Sequence, residues 1–355
     1  MPLIIEGRVP QRWAAKKPGH AVVSIDHYVK RKESVRLGFI NNMPDAALED
    51  TEIQFFDLLD DASGDALVFL KLYSLTGVPR ADRGLRHVDE FYLGLEELWN
   101  DRLDGVIVTG TEPRQPDLRQ EAYWGAMGEV MDWAEQHTVS TVLSCLAAHA
   151  AVLHFDGIPR HRLPDKQFGV FESARASEHP LTRRAIPLFR FPHSRWNEVQ
   201  ANALTACGYE ILTESAQAGV DVFVKQRKNS LFVHFQGHPE YQAETLLKEY
   251  RRDVKRFLRG ERETYPTMPH GYFAAAATKV LAGFQQAALA NRREEQMLSF
   301  PETAMEKLQN TWRSSATCIY RNWLNYVLTR KTETAHFAPL TGSFAQVQRK
   351  RSAVL

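Results

Sequence analysis

Cysteine is scarce in this 355-residue chain, which holds Cys145, Cys207 and Cys318 and no CxxC spacing. A disulfide framework is not indicated, and a reducing, cytoplasmic setting is the expectation. No apolar run approaches the ~18 residues of a membrane span. The opening MPLIIEGRVPQRW lacks the layout of a secretory signal. Charge of one sign is not in excess either: 44 Lys and Arg stand against 43 Asp and Glu, for a net +1. That balance argues against nucleic acid or an acidic membrane as a partner. The one locally basic tract, RRDVKRFLRGERE from Arg251 to Glu263, interleaves acids and apolar residues at helical spacing and reads as a solvated helix face. HExxH and Cys/His clusters of ligand spacing are missing, so neither a metal nor a bound cofactor is expected. There is no internal repeat and no long low-complexity linker.

What is present is an ordinary core-forming composition, 44% apolar and 25% charged, enough for one or two domains. Short apolar runs with β-branched residues recur at VRLGFI (Val35–Ile40), ALVFLKL (Ala66–Leu72), GVIVTG (Gly105–Gly110) and STVLS (Ser140–Ser144). Helical patterns lie between them, around Phe55–Leu59, Phe91–Asn100 and Glu121–His137. That alternation predicts an α/β domain with a mainly parallel sheet and flanking helices. The second half is less regular. DVFVKQRKNSLFVHFQGHPE (Asp221–Glu240) reads as two strands around a polar turn, Phe273–Gln296 as an Ala-rich helix and WRSSATCIYRNWLNYVL as a packed helix. The expected division is an irregular N-terminal arm (1–34), a single catalytic domain (35–330) with a helical insertion at about 270–305, and a C-terminal tail (331–355).

Cys145 sits between the strand-like TVLS and the helix-like LAAHAAVL. A thiol at such a turn emerges at the sheet's C-terminal edge, beside the unpaired N–H groups of the following helix. Those donors favour a thiolate and can hold an oxyanion. The alternative is a buried, inert cysteine. A base is offered by GHPEY, where Pro239 stiffens a bend carrying His238 and Glu240. Glu240 would orient the imidazole, completing a nucleophile–base–acid set. A surface histidine and a helix-capping glutamate are the plain alternatives. His149, one turn beyond Cys145, and His234, in a strand-like run, are further candidates of less specific placement.

Together these segments resemble the MetA-type homoserine O-acyltransferases. The likeness is carried by TEIQFFDLL at Thr51, LDGVIVTG at Leu103, EAYW at Glu121 and GIPRHRLPDKQFGVF at Gly157. It continues through PHSR at Pro192, GHPEY at Gly237, and TWRS with NWLNY near the end, all in the family's order. The resemblance spans about Val35–Leu328. It implies a class I glutamine-amidotransferase-like fold and acyl transfer from succinyl-CoA or acetyl-CoA to the homoserine hydroxyl, in methionine biosynthesis. It further implies Cys145 as the acylated nucleophile, His238 as base, Glu240 as its orienter and Leu146 as an oxyanion donor through its backbone N–H. Lys166, read here as a loop residue, Ser194 and Arg252 would contact or shape the substrate. A homodimer is expected on the same ground.

Four departures stand out. The loop MPDAALEDTE has Ala46 near the place of a family lysine, Leu146 replaces a tryptophan after the nucleophile, and His149 replaces a glutamine. The Ala-rich helix is an addition. The family's acyl-selective position falls on Arg114, in TGTEPRQPD. A guanidinium suits the free carboxylate of a succinyl group and gains nothing from an acetyl methyl, so succinyl-CoA is the expected donor. Acetyl transfer, glutamine hydrolysis and a non-catalytic metabolite-binding role are the rival readings.

Overall fold

The computed structural model describes residues 3–17, 33–183, 188–301 and 308–337. Ten strands form one sheet: β1 (Leu3–Ile5), β2 (Ser34–Ile40), β3 (Leu67–Tyr73), β4 (Gly105–Val108), β5 (Ser140–Ser144), β6 (His161–Arg175), β7 (Leu188–Glu198), β8 (Glu210–Ser215), β9 (Gly219–Arg227) and β10 (Ser230–Phe235). The helices are α1 (Gln11–Lys16), α2 (Asp45–Ala62), α3 (Asp82–Phe91), α4 (Leu95–Asn100), α5 (Trp124–His137), α6 (Leu146–Asp156), α7 (Ala201–Ala206), α8 (Thr245–Leu258), α9 (Ala275–Ala290) and α10 (Arg313–Phe337). None of the described helices is long and apolar enough to cross a membrane.

The strand order is β1-β3-β2-β4-β5-β10-β9-β8-β6-β7. Every pairing from β1 to β10 is parallel, and every pairing from β10 to β7 is antiparallel. β10 is therefore the seam of an α/β sheet. The parallel strands are mostly apolar and largely buried because both faces are covered. Side chains alternate across the sheet: Leu37, Phe39, Ile107 and Val142 join the core under α2 and α10. Ile40, Val106, Val108 and Leu143 join the one under α5 and α6. A third core lies between α8, α9 and Trp312.

The four predicted strands of the first half are present, with helices between them. Three local expectations change. The arm expected to be irregular contributes β1 to the sheet edge and α1, whose Trp13 is fully buried against Phe56; residues 18–32 of that arm lie outside the described residues, as do 338–355 of the expected tail. The helix expected over Phe91–Asn100 is broken by a bridge from Leu93 to Tyr73, just before Gly94, into the end of α3 and the short α4. Lys166 is not in a free loop. It lies inside β6, where the register with β7 slips between Arg162 and Gln167; Pro164 has no N–H to give the ladder there.

Candidate active site

β5 ends at Ser144 and α6 begins at Leu146, so Cys145 alone makes the turn. Its φ of 52° is one of two positive values among non-glycine residues described. Such a backbone is costly for a side-chain-bearing residue and persists only where neighbours enforce it. Enforcement comes from both sides: Cys145 N–H donates to Phe235 O at 2.8 Å, prolonging the β5–β10 ladder by one rung, while Cys145 O accepts from His149 N–H at 3.2 Å. Gly110, two residues past the neighbouring β4, packs closely against Leu146. A Cβ on Gly110 would stand 2.9 Å from Leu146 N and 2.9 Å from Leu146 Cβ. Glycine thus leaves clear the approach to an N–H in the first turn of α6, which has no partner within the helix.

The seam strand β10 delivers the base. Immediately after it, Gly237 and His238 turn back. His238 N–H donates to Pro192 O at 2.7 Å, and His238 Nδ1–H donates to Glu240 Oε1 at 2.8 Å. Ser144 Oγ also donates to that carboxylate oxygen, at 3.4 Å. The remaining ring nitrogen, Nε2, is thereby left for Cys145, whose sulfur acts electrostatically on the ring. Burial disfavours charge on His238. The Cys145 sulfur and the Glu240 carboxylate outweigh it and hold the imidazole's pKa well above its ordinary value. The arrangement sets an oriented imidazole beside the cysteine sulfur, the pairing by which a thiol nucleophile is activated.

Tyr241 stacks on the His238 ring at 4.3 Å and 15°. Its carbonyl accepts from Trp312 Nε1 at 2.8 Å and Asn310 Nδ2 at 3.1 Å, and its hydroxyl donates to Glu249 Oε1 at 2.7 Å. Glu249 gathers the other predicted residues. Ser194 Oγ donates to it, Lys166 Nζ lies 3.4 Å away and Arg252 Nη2 4.0 Å away. Asp253 takes Lys166 at 3.1 Å and Arg252 Nε at 3.3 Å. Burial pushes Glu249 upward, but Lys166, Ser194 and Tyr241 prevail and hold it below the usual carboxylate range. Lys166 also sits 3.9 Å over the Phe168 ring. The Arg252 side chain stays 52% exposed, leaving guanidinium donors for a ligand.

Lys166, Ser194 and Arg252, dispersed over β6, β7 and α8, are thus brought to one cluster. Glu249 and Asp253 complete it, and sequence reasoning passed over both. The signal was present in KEYRRD: Glu249, Arg252 and Asp253 stand three and four apart, on one helix face.

The other histidines separate from the chemistry. His149 is buried, donates from Nε2 to Gln236 Oε1 at 2.9 Å and is pushed down to about 3 by burial. His234 stacks on Phe223 at 4.6 Å, and burial likewise pushes it down to about 3. Both are neutral packing residues. Arg114 is exposed; its backbone N–H donates to Glu121 Oε1 at 2.5 Å. Arg160, half-buried and not singled out from sequence, donates to Pro116 O at 3.3 Å. No group of three or more His, Cys, Asp or Glu among the described residues has the arrangement of a metal site.

A family profile described as "HTS: Homoserine O-succinyltransferase" matches residues 2–334. A homoserine O-succinyltransferase of Rhodopseudomonas palustris is 42% identical over 314 residues, 86% of this chain and 94% of that protein. One of Methylorubrum extorquens is 44% identical over 298 residues, covering 83% and 88%. Among solved structures, a glutamine amidotransferase of Methylobacillus flagellatus aligns at 12% identity with a TM-score of 0.43, over 83% of this chain and 95% of that one.

Proposed function

The chain belongs to the homoserine O-succinyltransferase family, enzymes of acyl transfer, and on that premise we propose that it moves the succinyl group of succinyl-CoA to the L-homoserine hydroxyl through a thioester on Cys145. The observation that carries the reading is the Cys145–His238–Glu240 set on a strained strand-to-helix turn, with the Glu249 cluster one stacked tyrosine away.

In this reading the Cys145 thiolate attacks the acyl-CoA carbonyl. The Leu146 N–H, left open by Gly110, receives the oxyanion, and CoA departs as its thiol with the proton from His238. Homoserine then enters. Its carboxylate meets Arg252 and Lys166, and its ammonium meets Glu249, whose ionised state suits that partner. Neutral His238 takes the hydroxyl proton as the oxygen attacks the thioester. Collapse frees the ester, and His238 and Cys145 return to their starting state. Glu240 keeps the imidazole in one tautomer throughout. Arg114 and Arg160 are the two guanidiniums we assign to the donor's free carboxylate, Arg160 from its half-buried place and Arg114 from the rim.

The test is intact-protein mass spectrometry after brief mixing with succinyl-CoA or acetyl-CoA, followed by homoserine. A succinyl adduct on the Cys145 peptide, discharged by homoserine, supports the proposal. A preferred acetyl adduct overturns the donor assignment. Absence of both adduct and product overturns the mechanism. An unchanged succinyl-to-acetyl ratio in both Arg114→Glu and Arg160→Ala removes the role given to those side chains.

A further inference from the structure

Glu240 orients the His238 ring, but it does not hold the backbone that carries it. That backbone rests on a second, deeper group of polar side chains. Asp221 on β9 is fully buried. Its Oδ1 accepts the Gly237 N–H at 2.9 Å, one residue before His238, while its own carbonyl accepts the Gln236 N–H at 2.9 Å. His193 Nε2 lies 3.5 Å from the same Oδ1. The tautomer of His193 follows from its other neighbour. Arg195 Nε can only donate, and it lies 3.2 Å from His193 Nδ1. Nδ1 is therefore the acceptor, and the ring proton sits on Nε2, towards Asp221. The fit is close. A Cβ on Gly237 would meet Asp221 Oδ1 at 2.8 Å, Pro192 O at 2.9 Å and His193 Cε1 at 3.1 Å. Neither Asp221 Oδ2 nor His193 Nε2 has a hydrogen-bond partner within ordinary length among the described residues.

We propose that Arg195, His193 and Asp221 form a buried positioning relay for His238, in which the Asp221 carboxylate grips the turn through Gly237 N–H and its ionisation sets how firmly the base is held against Cys145. The inference rests on the reading of Cys145 and His238 as the reacting pair. A buried carboxylate with one unpaired oxygen is an expensive arrangement for packing alone, and here it is placed under the residue whose position matters most. The charged and titratable groups that face Asp221 are His193 and Arg195 from β7 and His238 and Glu240 from the turn. Burial dominates over the Gly237 N–H and Arg195 and pushes Asp221 up to about 7. The relay therefore changes charge in the neutral range. The ionised form binds Gly237 more tightly and adds negative charge beside the imidazolium; the protonated form loosens both.

The experiment is alkylation of Cys145 by iodoacetamide, followed by peptide mass analysis across the neutral pH range in the full-length parent, Asp221→Ala and Asp221→Asn. This probe reads the thiolate without an acyl donor, so a failure of succinyl transfer and a failure of this inference are separate results. Loss of the acceptor in Asp221→Ala is expected to slow alkylation about ten-fold. Asp221→Asn keeps an acceptor oxygen for Gly237 and is expected to restore the rate to within about three-fold, while abolishing the inflection near neutrality that a titrating carboxyl imposes. A purely structural role would not move that inflection. Parent-like alkylation in Asp221→Ala overturns the proposal, and so does an inflection that persists in Asp221→Asn. If Asp221→Ala does not fold, the Asp221→Asn profile decides alone.

Discussion

The two halves of the sheet do different work. The parallel half, from β1 to β5, supplies one reacting side chain, Cys145, and the backbone that surrounds it: the elbow, the Leu146 N–H and the clearance at Gly110. The antiparallel half, with α8, supplies nearly every polar or charged side chain that meets Cys145 or, in our reading, homoserine: His238, Glu240, Ser194, Lys166, Glu249 and Arg252. The difference follows from how each half is built. Parallel strands between two helical layers are too dry to host unpaired charge. The antiparallel hairpins and the slipped register of β6 bring long polar side chains to the seam, where they satisfy one another.

Substitutions on each side test that division. The largest effect is expected for His238→Ala. Discharge of a preformed Cys145 thioester to homoserine should fall about 10²–10⁴-fold in single-turnover assays; a parent-like rate would place the base elsewhere. On the parallel side, Gly110→Ala puts a methyl 2.9 Å from Leu146 N. Thioester formation should slow about 10²-fold with the circular dichroism spectrum unchanged, and unaltered acylation would remove Leu146 from the mechanism. Glu249→Gln should separate the two steps. The homoserine KM is expected to rise about ten-fold while acylation by the donor keeps its rate. Equal losses in both steps would mean that the cluster is scaffolding for Tyr241 and His238 rather than a substrate site.

The smallest effect concerns stability and the seam itself. His149 and His234 are both pushed down to about 3 in the folded chain, against an ordinary value near 6.5. Between those values the unfolded chain binds protons that the folded chain refuses, so stability is fully present above about pH 6.5 and declines as the pH falls, by about 1 kcal/mol per unit for each histidine. His149→Gln should make urea-unfolding free energies less steep between about pH 6 and pH 4. An unchanged slope would show that His149 takes up its proton without unfolding.

The same division sets what the sequence reveals. VRLGFI, ALVFLKL, GVIVTG and STVLS declare themselves because burial on both faces favours runs rich in apolar and β-branched residues. Cys145 was legible from its place between two such patterns, and the GHPEY bend from its Gly and Pro. β6 was not. Its first seven residues, HRLPDKQ, are mostly polar and all exposed or half-buried, with a proline among them, and only pairing with β7 makes them a strand. Asp253 fell in a tract that read as a solvated helix face and Glu249 was passed over, because the partners that bury Glu249, Lys166 and Ser194, lie 83 and 55 residues from it in the chain. Asp221 opens DVFV as an ordinary strand-edge acid; nothing local says that Gly237 will rest on it.

The grip of Asn310 and Trp312 on the Tyr241 carbonyl also bears on the order in which the protein comes off the ribosome. The turn under His238 gains its last anchors only once residue 312 has emerged, and the core beneath the parallel strands is closed only by the helix that follows it. A nascent chain halted earlier would display the cysteine without a fixed base. It would therefore be poorly equipped to consume acyl donor until translation had nearly finished.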